Sequence, residues 1–198
     1  MTASVSIHAA RTPDTEVDAQ FPRRWSPRAM AATSLSQGEL RRLLEAARWA
    51  PSCFNEQPWE VACALRETDA FKTFLEVLVP GNQGWAQHAG ALLAFAARTQ
   101  FTGHDRDNDC ADFDTGAAWM SLALEASRLG LVAHAMRGFD MDAARAALRV
   151  PDDWQLLAFV AIGAPGPLDV LDEAYREREV PSTRRAVDDF LHMGRFSG

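Results

Sequence analysis

Ser36-Gln37-Gly38-Glu39-Leu40-Arg41-Arg42-Leu43-Leu44-Glu45-Ala46-Ala47-Arg48-Trp49-Ala50-Pro51 decides how the chain starts to fold. A serine followed three residues later by a glutamate has the spacing of a capping box, in which each residue satisfies the other's free backbone N–H. Leu40, Leu43, Leu44 and Ala47 then recur on one helical face, and Pro51 stops the helix. Soon after, Trp59–Leu65 reads as a short buried strand, so a helix hands over to a sheet through the loop between them.

Outward from this stretch the same alternation continues. A helical segment over Asp69–Val79 and a Pro80-Gly81-Asn82 turn precede a second buried strand at Ala91–Ala97. Asp114–Leu129 is apolar nearly all round and ends at Gly130, which predicts a helix that is central or lies at a subunit interface. Leu131–Ala135 and Trp154–Gly163 are further strands, and Asp140 caps a helix reaching about Arg149. Residues 1–21 mix Thr, Ser, Asp and Pro without a period and are expected to form a flexible N-terminal arm. Residues 22–198 are then one domain. Its polar, arginine-rich tail from about 166 to 198 has too little apolar surface to fold back and is expected to extend onto a partner subunit.

Composition narrows the function. At 198 residues and 21.8 kDa the chain suits a single domain. A net charge of -7 argues against a nucleic-acid partner, which would need a basic face. Lys72 is the only lysine, so nearly every cation is a guanidinium, the group that grips phosphate in a fork. Cys53, Cys63 and Cys110 show no CxxC spacing, which suggests neither a disulfide framework nor zinc. No apolar run is long enough to span a bilayer, and a signal peptide's order is absent, so a cytoplasmic location without membrane contact is expected.

Several chemistries lack their motifs: there is no GxSxG, no GxxxxGK and no GxGxxG. His104-Asp105-Arg106-Asp107-Asn108-Asp109-Cys110 mimics half of a calcium loop, but Cys110 stands at the glycine position and Gly116 at the final glutamate, so no metal site is expected. A Cys53–His134 nucleophile is weaker than an inert thiol and a packed histidine. Two segments are richer. Arg24-Trp25-Ser26-Pro27-Arg28 puts two guanidiniums and a hydroxyl at alternate positions, and Pro27 favours an extended backbone that aims them one way, as an anion site or a solvated basic turn. Pro51-Ser52-Cys53-Phe54-Asn55-Glu56-Gln57-Pro58-Trp59 places amides that could meet the edge of a heteroaromatic ring, or simply ends a helix.

Arg24-x-Ser26-x-Arg28, Ala-Arg-x-Ala-Pro-Ser-x-x-Asn-x-Gln-Pro-Trp over 47–59, Asp114-Thr115-Gly116, Leu129-Gly130-Leu131, His134-x-Met136-x-Gly138-Phe139-Asp140, Arg184-Arg185 and Gly194-Arg195-Phe196 together resemble the nitroreductase family. The resemblance implies an α+β three-layer sandwich with a mainly antiparallel sheet, an interlocked homodimer, and FMN reduced by NADH or NADPH in ping-pong exchange with a small acceptor such as a nitroaromatic, quinone or enal. It implies that Arg24 and Ser26, with Trp25 between them, hold the FMN phosphate, and that Arg184 or Arg185 completes the clamp. Arg28 would lie by the flavin pyrimidine edge, where a cation stabilises the reduced flavin. Pro51, Ser52, Asn55 and Gln57 would come from the partner subunit, and Met136-Arg137-Gly138 would offer a backbone N–H to flavin N5. Arg137 departs from the Gly or Glu common in similar proteins; it either attracts an acidic substrate or a nucleotide phosphate, or points into solvent. A flavin-sequestering protein, a semialdehyde reductase and a dehalogenase are the rival functions.

Overall fold

In the computed structural model, residues 11–103 and 105–196 are described, and they form a four-stranded sheet between two helical layers. The strands are β1 (Trp59–Leu65), β2 (Ala91–Arg98), β3 (Val132–Met136) and β4 (Trp154–Gly163). Their order is β1-β2-β4-β3, with every neighbouring pair antiparallel. The helices are α1 (Gln20–Arg23), α2 (Gln37–Arg48), α3 (Asp69–Glu76), α4 (Pro80–Ala86), α5 (Ala111–Arg128), α6 (Met141–Leu148) and α7 (Glu173–Arg176). This is the three-layer α+β sandwich that the resemblance implies.

The central strands explain why the sequence runs apolar without alternation. In β2, Ala91, Leu93 and Phe95 face one helical layer while Leu92, Ala94 and Ala96 face the other. Both faces of the sheet are covered, so the period of two that marks a half-exposed strand vanishes. Leu43 and Ala47 of α2 and Ala118, Leu122 and Ala126 of α5 fill the first side. Phe71 and Phe74 of α3, Trp85 of α4 and Ala144 of α6 fill the second.

Local signals set the helix ends. Ser36 Oγ accepts the Glu39 N–H at 3.2 Å while the Glu39 carboxylate accepts the Ser36 N–H at 2.9 Å. Asp140 caps α6 through the Ala143 N–H at 3.0 Å. Gly130 ends α5 with φ of +72°, a backbone conformation that costs glycine little.

Four expectations change. Pro80-Gly81-Asn82 is not a turn: Pro80 sits at the start of α4, where a proline's missing N–H has no helical partner to lose. The preceding helix accordingly ends at Glu76, and Leu78 bridges Phe139 instead. α5 begins at Ala111, and within one chain it does have an outward side, where Phe113 is 83% exposed and Met120 is also exposed. The expected arm runs into α1 only at its last two residues, Gln20 and Phe21; its residues 1–10 lie outside the described residues, as does His104 of the calcium-loop mimic. The tail does fold back as far as Pro181, burying Leu171 and Glu179, because these two side chains find the second core and a set of backbone donors.

Ser36→Ala removes the reciprocal cap and should cost about 0.5–2 kcal/mol. A scanning-calorimetry melt should fall by about 2–4 °C per kcal/mol for a domain of this size.

Candidate functional site

The segment after α1 is strapped to the end of β4. Gly166 N–H donates to Ala29 O at 2.9 Å, Ala31 N–H donates to Ala164 O at 3.0 Å, and Met30 bridges Pro165. A Cβ at Gly166 would strike the Met30 backbone, so this close crossing needs glycine. The strap carries Arg24–Arg28 past the β3 edge, where His134 Nδ1 lies 3.2 Å from Pro27 O. A carbonyl can only accept, so the proton of this pair is on Nδ1.

Arg24 and Ser26 come together as expected: a guanidinium Nη1 donates to Ser26 Oγ at 3.3 Å. Arg24 Nε is buried with no hydrogen-bond partner. Burial, and then the charge of Arg184, hold the Arg24 guanidinium below the usual arginine range. Arg11 is depressed by burial, then by Arg184 and Arg24. Its Nη1 donates to Arg24 O at 2.6 Å and its Nε to Ser182 O at 3.0 Å. Arg184 donates to Ser182 Oγ at 2.9 Å. Among the described residues, no carboxylate forms an ion pair with any of these three arginines. Three cations in mutual reach with an unused buried donor make a site for an anion. Arg185 turns elsewhere, its guanidinium 5.5 Å from the Phe190 ring centroid. Trp25 is half-buried between Arg24 and Ser26.

Arg28 leaves that group and belongs to another. Glu179, 4% exposed, accepts the backbone N–H of Arg28 and, at 2.8 Å, that of Ala29. Its second oxygen is 3.7 Å from Arg28 Nη1. The guanidinium also lies 5.3 Å from the Tyr175 ring and 6.0 Å from the Trp85 ring. Trp85 in turn packs on His134 at 4.7 Å. Burial, and then the nearby Arg28 charge, push the His134 imidazole down to about 4, so it is neutral at neutral pH.

Met136-Arg137-Gly138 continues from β3. Gly138 O accepts from Val79 N at 3.1 Å and from Asn82 Nδ2 at 2.9 Å, and a Cβ at Gly138 would stand 2.7 Å from that amide. The chain path is fixed by close approach, as a backbone contact requires. Arg137 is exposed and stacks on Phe139 at 4.9 Å.

Pro51, Ser52, Asn55 and Gln57 are not beside these residues in one chain. Their loop enters β1, the edge opposite β3, and the two edges are separated by β2 and β4. At strand spacings of about 4.8 Å that is about 14 Å. The loop itself is tightly built: Phe54, Asn55 and Gln57 all take positive φ, Gln57 N–H donates to Ser52 Oγ at 3.0 Å, and Cys53 N–H donates to the Asp114 carboxylate at 2.9 Å. The same separation parts Cys53 from His134, so that nucleophilic pair is not assembled. No cluster of three or more His, Cys, Asp or Glu that could hold a metal occurs among the described residues.

Arg11, Glu179, Tyr175 and Trp85 had no sequence signal. Arg11 lies in an aperiodic arm and Glu179 in a charged run that reads as solvated.

His134 makes stability pH-dependent. The unfolded chain takes up a proton near pH 6.5 and the folded chain refuses it until about 4. Stability is therefore full above about pH 6.5 and falls, by up to about 3 kcal/mol, as pH drops toward 4. Urea unfolding at several pH values should show this loss in the parent and a shallower one in His134→Gln.

A family model described as the nitroreductase family matches residues 22–164. The chain is 31% identical to an NADH dehydrogenase of Thermus thermophilus, an alignment covering 82% of this chain and 90% of that one. It is similar to a solved oxidoreductase containing FMN at 39% identity and a TM-score of 0.92, covering 95% of this chain and 96% of that one. A solved nitroreductase family protein from Clostridium difficile 630 shares the fold at 17% identity and a TM-score of 0.70, covering 92% and 100%.

Proposed function

The chain belongs to the nitroreductase family, and on that premise we propose that it is an FMN-dependent oxidoreductase. It takes two electrons from NADH or NADPH and delivers them to a small acceptor such as a nitroaromatic, quinone or enal by ping-pong exchange. The observation that carries this reading is the anion site: Arg24 with an unused buried Nε, Ser26 Oγ beside it, and Arg184 close enough to depress it. A phosphate monoester, with about two negative charges and three acceptor oxygens, fits that donor set. FMN held there supplies the hydride and electron chemistry, so no side chain has to serve as nucleophile or general acid.

The residues then divide the work. Arg24, Ser26 and Arg184 bind the phosphate, with Arg184 rather than Arg185 supported by its orientation. Arg28 offers positive charge at the pyrimidine edge, and Glu179 fixes its position while offsetting part of that charge. Neutral His134 supports the strap through Pro27 O and adds no second cation. Asn82 and Val79 hold the Gly138 carbonyl, and with it the Met136-Arg137-Gly138 backbone that would offer an N–H to bound FMN. Arg137 lies outside this set.

The second half of the site comes from another copy of the chain. The β1-edge loop of one protomer, with Pro51, Ser52, Asn55 and Gln57, meets the β3 edge of its partner, which explains why one chain keeps them apart. The exposed Phe113 and Met120 of α5, and the tail beyond Pro181 with Phe190, Met193 and Phe196 exposed, find their cover in that homodimer. Residues 22–198 act as one domain. Cys53, Cys63 and Cys110 are free thiols, as a cytoplasmic protein keeps them, and no helix among the described residues is long and apolar enough to cross a membrane.

The purified protein should be yellow, carry one FMN per chain and oxidise NADH or NADPH with a quinone present. A colourless protein gaining no thermal stability from FMN refutes the reading, and a yellow one without turnover is a flavin-sequestering protein. Arg24→Ala should weaken FMN binding about tenfold to a hundredfold and leave turnover of the flavin-saturated enzyme nearly unchanged. Arg28→Ala should lower the flavin midpoint potential, read by potentiometry, because its partner is charge present only after reduction.

A further inference from the structure

We infer that Arg11 is a phosphate ligand of the anion site, and that the bound phosphate fastens the N-terminal arm to the C-terminal segment around Ser182. This rests on the FMN reading above and deepens it. The donor inventory points to it. Arg11 spends Nε on Ser182 O and Nη1 on Arg24 O, so Nη2 remains for a ligand. Arg24 keeps its buried Nε unused, and Arg184 spends only Nη1, on Ser182 and Thr183.

The charges point the same way. Arg11 and Arg24 are each depressed by Arg184, and Arg11 by Arg24 as well, so the three guanidiniums feel one another. They come from three places in the chain: the arm, the strap and the tail. Like charges drawn from separate segments repel, and an anion between them turns that repulsion into attraction. A phosphate monoester offsets most of a triple positive charge and has an oxygen for each arginine. The direct links between arm and tail, through Ser182 O and the backbone of the strap, are uncharged acceptors that do not cancel this repulsion.

Riboflavin carries the same ring system without the phosphate, which separates the two ideas experimentally. The full chain is titrated with FMN and with riboflavin by flavin fluorescence, as parent and as Arg11→Gln. The parent should prefer FMN. Arg11→Gln should lose about tenfold in FMN affinity, as expected for a charge-assisted hydrogen bond, and bind riboflavin as the parent does. Equal FMN affinities in parent and variant overturn the inference while leaving the FMN reading intact; a parent that binds neither flavin overturns both. Hydrogen exchange on the parent needs no variant: FMN should slow exchange over residues 11–24 and 182–185, and riboflavin should not. Equal protection by the two flavins also overturns the inference.

Discussion

Strands β2 and β4 pair along their length with both faces under helices, and this double burial constrains the whole molecule. Their polar side chains, Arg98 and Gln155, stand only near the strand ends, and the positions between are apolar, since a buried polar group there would need a partner. Chemistry is therefore pushed to the two edges, β1 and β3, and to the segments that run beside them. The candidate site residues divide between those edges, which is why the proposed site draws on two copies of the chain.

At the β3 edge, position is set by backbone donors and by tight crossings. Glu179 brings a carboxylate from the tail to two successive N–H groups of the strap, and Gly166 crosses beneath Met30 where no side chain fits. A buried charge costs much unless paired, and here two backbone donors and Arg28 share that load. The tail up to Pro181 is thus part of the body, and Ser182 and Arg184 just beyond it still meet Arg11 and Arg24 of the same chain.

Electrostatics sort the cations of this edge into two kinds. Arg28 has its own carboxylate and two aromatic rings, so its charge is held in place and partly offset. Arg11, Arg24 and Arg184 have no carboxylate among the described residues, so their charge is uncompensated there. His134, between Trp85 and the strap, stays neutral because burial and Arg28 both oppose its protonation. Three guanidiniums without a described carboxylate, beside an imidazole kept neutral, are the electrostatic basis of the phosphate site proposed above.

Every strand and the main helices were legible in the chain's own residues, because capping residues, apolar periods and stop signals act over a few neighbours: Ser36 with Glu39, Asp140, Gly130. Arg24, Ser26 and Pro51–Gln57 were legible as ordered motifs too, since each lies in one short stretch. Pro80 reads as a turn but opens α4, because proline suits both, and the tail reads as solvated because Leu171 and Glu179 find partners only in distant segments. It took the folded arrangement to bring Arg11 to Arg24, to choose Arg184 over Arg185 beside it, to turn Arg28 to Glu179, and to set the Pro51–Gln57 loop on the far edge. Those outcomes depend on which chain segments cross in space, and charge and burial at a crossing leave no periodic trace in either segment.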